Sequence, residues 1–123
     1  MYTRLSFIYN ASVSRYIITG GAGFIGSCLV RHLVNVPGNE VVNIDVMTYA
    51  GNTNSLPDAR STSNHQLHVG SICDRQFVSD ALEGFCPDFI IHLAAESHVD
   101  RSIDSPLEFV ETNVLGTATL LQE

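Results

Sequence analysis

A chain of 123 residues is long enough for one hydrophobic core but would leave two cores only roughly 60 residues each. Hydrophobic residues make up 45% and charged residues 15%, a balance that excludes extended disorder. A net charge of −7, with 6 basic residues against 13 acidic ones and no basic cluster, argues against a surface built to hold nucleic acid or an anionic membrane.

All six basic residues are arginine, so chemistry that needs a catalytic lysine cannot run on these residues alone. Cys28, Cys73 and Cys86 form no CxxC pair. They fit reduced, partly buried thiols of a cytoplasmic protein, with Cys28 expected in a packing role. No apolar run approaches the roughly 18 residues that span a bilayer. Met1 to Ser14 contains one arginine and no acid, and its apolar centre is too short for a secretory signal. It reads as a leader or tail ahead of a domain that starts at Arg15.

Arg15 to Thr19 is a β-favouring run that stops at Gly20-Gly21-Ala22-Gly23. From Phe24, the apolar residues Ile25, Leu29, Val30, Leu33 and Val34 recur at helical spacing and predict a helix ending near Asn35, before Pro37-Gly38. Glu40 to Asp45 reads as a second strand, and Met47 to Asn64 as polar loop with room for one short helix. Gln66 to Val69 follows as a third strand, then a helix over Arg75 to Glu83 with Asp74 as N-cap. Phe89 to Leu93 is a continuous apolar run of the kind buried on both faces of a sheet. Leu93 to Ser102 reads as loop. Pro106 opens a last helix, with Val110, Val114, Leu115, Ala118 and Leu121 on one expected inner face.

Strands and helices that alternate in short steps imply parallel strands joined by right-handed crossovers. The expected fold class is therefore α/β: a partial doubly wound Rossmann fold, with a parallel sheet of about four strands and helices on both faces. The usual form has six or more strands, so residues 15–123 are expected to hold its first half.

The segment Thr19-Gly20-Gly21-Ala22-Gly23-Phe24-Ile25-Gly26 lies between the first strand and the first helix. Gly20 allows a tight turn, Gly23 lets a pyrophosphate approach the backbone, and Gly26 lets the helix lie close on the sheet. The helix start then offers free N–H groups to phosphates. Asp45 ends the second strand at the spacing expected of an acid that binds the ribose hydroxyls, which favours NAD over NADP. Ala94 and Ala95, beyond the fourth strand, would let the backbone run close to a cofactor, with Ser97, His98 and Arg101 within reach of a substrate; a solvated polar loop is the equal alternative. His65 and His68 point to opposite faces of a strand and make a poor metal pair. His92 suits a hydrogen-bonded core histidine, and Ser97, His98 and Asp100 are too close in sequence to converge as a triad.

The glycine segment, Asp45, Thr48-Tyr49-Ala50-Gly51-Asn52, Ile72-Cys73-Asp74, His92 to Ser102, and Thr112-Asn113-Val114 with Gly116-Thr117 together resemble the dTDP-glucose 4,6-dehydratases of the extended short-chain dehydrogenase/reductase family. The resemblance covers Arg15 to Glu123. It implies an NAD-dependent lyase that converts dTDP-glucose to dTDP-4-keto-6-deoxyglucose through an internal redox cycle, in a cytoplasmic homodimer. It also implies cofactor contacts: Phe24 and Ile25 at the pyrophosphate, Asp45, Val46, Met47 and Thr48 around the ribose, and Ser71 and Ile72 beside the adenine. Leu93, Ala94, Ala95, Glu96 and Ser97 would run under the cofactor, with Ser97 also touching the sugar nucleotide, and Thr112 would sit near the nicotinamide half. Two positions depart from the family, which usually has an aspartate at Ser71 and a lysine at Val46. The family's tyrosine base with a lysine four residues on is absent: Tyr2, Tyr9, Tyr16 and Tyr49 have no such partner. The chain as given is therefore expected to be inactive, with no catalytic residue and no metal site of its own. The alternatives are a non-catalytic nucleotide-binding remnant, or an epimerase or decarboxylase of the same superfamily.

Overall fold

The computed structural model describes residues 13–48, 53–56 and 62–123. Most of the tail ahead of Arg15, and Tyr49 to Asn52 of the Thr48-Tyr49-Ala50-Gly51-Asn52 segment, lie outside these residues. Strands β1 (Ser14–Thr19), β2 (Asn39–Asp45), β3 (His65–Val69) and β4 (Phe89–His92) form one sheet in the order β3-β2-β1-β4. Every pairing is parallel, with Ile17 opposite both Val42 and Ile90. Helix α1 (Phe24–Val34) carries the chain from β1 to β2, and α2 (Arg75–Phe85) carries it from β3 back across the sheet to β4. The crossover reverses the direction in which strands are added, so the C-terminal ends of β1 and β4 diverge into a crevice, the usual ligand position in such sheets.

The core follows from the two-residue period of the strands. Ile18 and Val41 face α1 and pack with Ala22, Val30, Val34 and Leu56. Ile17, Val42 and Ile44 face the other way, against Ile72, Ala81 and Phe85. Both faces of the central strands β1 and β2 are therefore covered, which explains their near-continuous apolar runs; the apolar run of β4, expected to be buried on both faces, instead forms an edge strand that leaves Phe89 and Ile90 54% and 41% exposed. The Asp74 carboxylate accepts from the Phe77 N–H at 3.1 Å and starts α2 as expected. Among the described residues of the loop after β2, Thr53–Ser55 form a 3-10 turn.

Three expectations are corrected. Part of the supposed loop beyond β4 forms a short helix, α3 (Val99–Asp104). The last helix is not a single α-helix but α4 (Pro106–Val110), a π-helical segment (Glu111–Gly116) and α5 (Thr117–Gln122). Its expected inner face of Val110, Val114, Leu115, Ala118 and Leu121 is exposed, while Gly116 and Thr119 are buried. The wide turn of the π segment rotates the helix, and Gly116 brings it so close that a Cβ there would sit 2.6 Å from Ile72 Cδ1. Thirdly, Cys28 and Cys86 are exposed and only Cys73 is partly buried. The stripe of α1 that meets the sheet is Gly26, Ser27, Val30 and Val34, and position 28 lies on the opposite side.

Truncating Ile17, which is fully buried, to alanine should therefore destabilise the chain by about 2–5 kcal/mol in urea denaturation. Leu121→Ala, at a side chain 83% exposed, should stay within about 0.5 kcal/mol of the parent.

Candidate functional site

The turn after β1 is shaped by close approach. Gly20 has φ +70°, and a Cβ on it would lie 2.6 Å from the Ala94 nitrogen, so no other residue brings β1 this near to the segment leaving β4. A Cβ on Gly26 would lie 2.2 Å from the Gly20 carbonyl oxygen, which ties the helix start to the turn. Gly23 is the N-cap of α1, and no side chain caps the helix there. The first-turn amides thus lack intrahelical acceptors and present partial positive charge to the crevice.

Asp45 closes the crevice from the β2 side. It is buried, 8% exposed, and both its oxygens are engaged: Oδ2 accepts from the Ala22 N–H at 2.9 Å and Oδ1 from the Met47 N–H at 2.8 Å. A carboxylate has about four lone-pair sites, so two remain for hydroxyl donors of a ligand. The same carboxylate therefore fixes the glycine turn and offers acceptors beside it.

The cleft so formed is lined by Gly20, Gly23, Asp45, Val46, Thr48, Ser71, Ile72, Leu93, Ala94, Ala95, Glu96 and Thr112, all singled out from the sequence, together with Ile44 and Gly70. Ser71 Oγ accepts from the Cys73 N–H at 3.1 Å and shapes the turn at the β3 end. Five proposed contacts do not line it. Gly26 lies beneath the turn, and Met47 packs against the core on the α1 side. Phe24 and Ile25 are 96% and 68% exposed, so only their backbone belongs to the turn. Ser97 is exposed, outside the lining.

Sequence reasoning gave no bracing role to Asn113 or Thr117, whereas His92 is hydrogen-bonded as expected. The Asn113 side chain accepts from the Glu96 N–H at 2.8 Å and donates to the Glu96 carbonyl at 2.9 Å, which holds the segment after β4 against the π-helical turn. His92 bridges Thr19 on β1 (Nδ1 to Oγ1, 2.6 Å) and Thr117 on α5 (Nε2 to Oγ1, 3.0 Å). Burial holds the His92 pKa below the ordinary histidine value. The available signal was a run of polar residues, Asn113, Thr117 and Thr119, inside a helix where exposed positions were expected. A larger groove, about 320 Å³ against 130 Å³, lies beside Arg15, Glu40, Asp80 and Phe85. Its Arg15 is already paired with Glu40 at 3.1 Å and stacked 4.5 Å over the Phe85 ring, and no chemistry converges there.

A parallel 3-2-1-4 half-sheet with a glycine turn leading into its first helix, and an acid at the end of β2, defines a Rossmann-type nucleotide-binding fold. The chain belongs to the GDP-mannose 4,6 dehydratase family, whose profile matches residues 17–123. It is 54% identical over 108 residues to a probable dTDP-glucose 4,6-dehydratase of Sinorhizobium fredii, covering 88% of this chain and 31% of that protein. Among solved structures, the dTDP-glucose 4,6-dehydratase of Streptomyces venezuelae, crystallised with NAD, superposes with a TM-score of 0.79 at 46% identity, over 88% of this chain and 34% of the other. A UDP-glucose 4-epimerase of Thermotoga maritima, solved with UDP-glucose, gives a TM-score of 0.78 at 30% identity, over 88% and 33%. The chain thus spans about a third of the length of the relatives it matches.

Because Asp45 holds two backbone amides, Asp45→Ala should lower stability by about 1–3 kcal/mol in urea denaturation without any ligand present. Asp45→Asn, which keeps one acceptor oxygen, should lose less.

Proposed function

We propose that this chain is the N-terminal, NAD-binding portion of a dTDP-glucose 4,6-dehydratase. The observation that carries the proposal is the buried Asp45 carboxylate, set beside an uncapped helix start at the crevice between β1 and β4. The turn from Gly20 to Gly26 would take the pyrophosphate on backbone amides. Asp45 would accept from the adenosine ribose hydroxyls, and it repels the 2′-phosphate of NADP because two like charges would meet where little water screens them. Val46 and Thr48 would flank that ribose, Ser71 and Ile72 the adenine. Leu93 to Glu96 would pass under the nicotinamide half, facing Thr112, and Ser97 at the rim would meet the sugar nucleotide.

When bound, NAD supplies reversible hydride acceptance; these residues bind and orient it. They hold no base of the family's kind. Tyr16 lies in β1 with its ring stacked 5.2 Å from Phe89, and the sequence has no lysine to partner any tyrosine. The substrate, dTDP-glucose, and the elimination itself belong to the whole protein, which we read as a cytoplasmic homodimer. Exposed Ile103, Leu107 and Val110 support a protein-covered face there. No helix among the described residues is long and apolar enough to cross a membrane. The epimerase alternative shares the fold, but the higher identity to dehydratases favours the present reading.

Calorimetric titration should show NAD binding at least about tenfold tighter than NADP, the scale of one charge-assisted contact turned repulsive. Asp45→Ala should abolish that preference and weaken NAD, whereas Asp80→Ala, on the exposed side of α2, should change neither. Equal effects of the two substitutions would refute the ribose assignment. Ser71→Asp should tighten NAD by supplying a charged acceptor to the adenine amino group. The 123 residues incubated with dTDP-glucose and NAD should form no 4-keto-6-deoxy sugar; its appearance would contradict the division of labour proposed here.

A further inference from the structure

The hydrogen bonds around His92 determine which nitrogen carries its proton. Thr117 Oγ1 donates to the Asn113 carbonyl at 2.7 Å, and a carbonyl can only accept, so the single hydroxyl proton of Thr117 is committed there. The 3.0 Å contact from His92 Nε2 to Thr117 Oγ1 must then be an N–H donated by the imidazole. In a neutral ring this leaves Nδ1 as an acceptor, and the 2.6 Å contact to Thr19 becomes an O–H donated by Thr19. With its proton directed at His92, Thr19 Oγ1 turns its lone pairs toward the Ala94 N–H and the Leu93 N–H, each at 3.2 Å; the Leu93 N–H is shared with the Thr19 carbonyl at 3.0 Å, whereas the Ala94 N–H rests on the hydroxyl. Those two amides begin the floor of the cleft, at the place where Gly20 leaves no room for even a Cβ.

We infer that His92 is a positioning residue of the cleft: as the neutral Nε2–H tautomer it orients the Thr19 hydroxyl, which fixes the backbone at Leu93 and Ala94 where a dinucleotide would lie. Protonation of Nδ1 reverses the geometry. Thr19 Oγ1 would face three donors with two lone pairs, and its own proton would lose its acceptor, so the floor loosens as the ring charges. The inference rests on the cofactor reading only for what the floor supports; the tautomer does not depend on it. The ring has hydroxyl partners on both sides, and burial, not a neighbouring charge, is what displaces its titration. The ionisable groups on the flanking elements are Arg15 and Tyr16 toward the far end of β1, Asp88 before β4, Glu96 after it, Glu111 on the π segment, Glu123 after α5, and Arg75, Asp80 and Glu83 on α2.

Imidazole nitrogen–proton correlation spectra of the 15N-histidine-labelled chain test the tautomer directly. The expected result is a single Nε2–H form at pH 7.5 that persists below pH 6.5. An Nδ1–H form, a mixture of tautomers, or titration at the ordinary histidine value would overturn the inference. A parallel NAD titration separates positioning from bulk. His92→Leu keeps the side chain's volume without an acceptor and should weaken NAD roughly tenfold, the effect of one lost hydrogen bond. His92→Asn places an acceptor near the Nδ1 position and should recover most of that loss, with binding no longer falling between pH 7 and pH 5. Equal binding by the two variants, or a retained pH dependence in His92→Asn, would refute the positioning role. If the labelled chain shows the expected tautomer yet NAD fails to bind, the cofactor reading fails and the tautomer assignment stands.

Discussion

The cleft depends on the carboxylate of Asp45. It reaches from the end of β2 to the Ala22 N–H in the glycine turn and folds back on the Met47 N–H. Without it, the turn between β1 and α1 would be joined to the sheet mainly through its two ends. With it, β1, the glycine turn and the end of β2, which α1 separates in sequence, become one corner. The remainder of the site is built outward from that corner. Gly20 admits the Ala94 backbone, and Ala94 is held in turn by Thr19, His92 and the last helix.

This arrangement gives the polar residues of the last helix their role. A helix that packs on a sheet normally turns its apolar stripe inward. Here the π-helical turn presents Asn113 and Thr117 to the end of β4, where they bond the Glu96 backbone and His92, while Val110, Val114 and Leu121 face out. The segment after β4 lacks strand partners of its own, and its peptide groups must be satisfied by something other than a ladder. Side-chain amide and hydroxyl groups on a close helix meet that need, and the small Gly116 sets how close the helix comes.

The same physics explains how far the sequence could be read. The four parallel strands, α1, α2 and the Asp74 cap were legible because each rests on a local signal: β-branched runs, apolar spacing, or a capping side chain next to it. The cleft lining was legible in large part because glycine spacing and the acid at the end of β2 carry chemistry that few other arrangements need. What was not legible depends on tertiary contact. Periodicity placed Val110, Val114 and Leu121 inside, since it assumes an unbroken 3.6-residue helix, and nothing local announces the π segment that rotates them outward. Cys28 was expected to pack in the core because cysteines commonly do, yet the helix turns it to solvent.

The most direct test of the account is an amide correlation spectrum of the 123-residue chain titrated with NAD. The account predicts shifts concentrated at Gly20 to Gly26, Asp45 to Thr48, Ser71 and Ile72, Leu93 to Glu96, and Thr112, with the groove around Arg15, Glu40 and Asp80 unperturbed. Shifts centred on that opposite groove, or none at saturating NAD, would contradict the assignment of the crevice between β1 and β4 as the cofactor site.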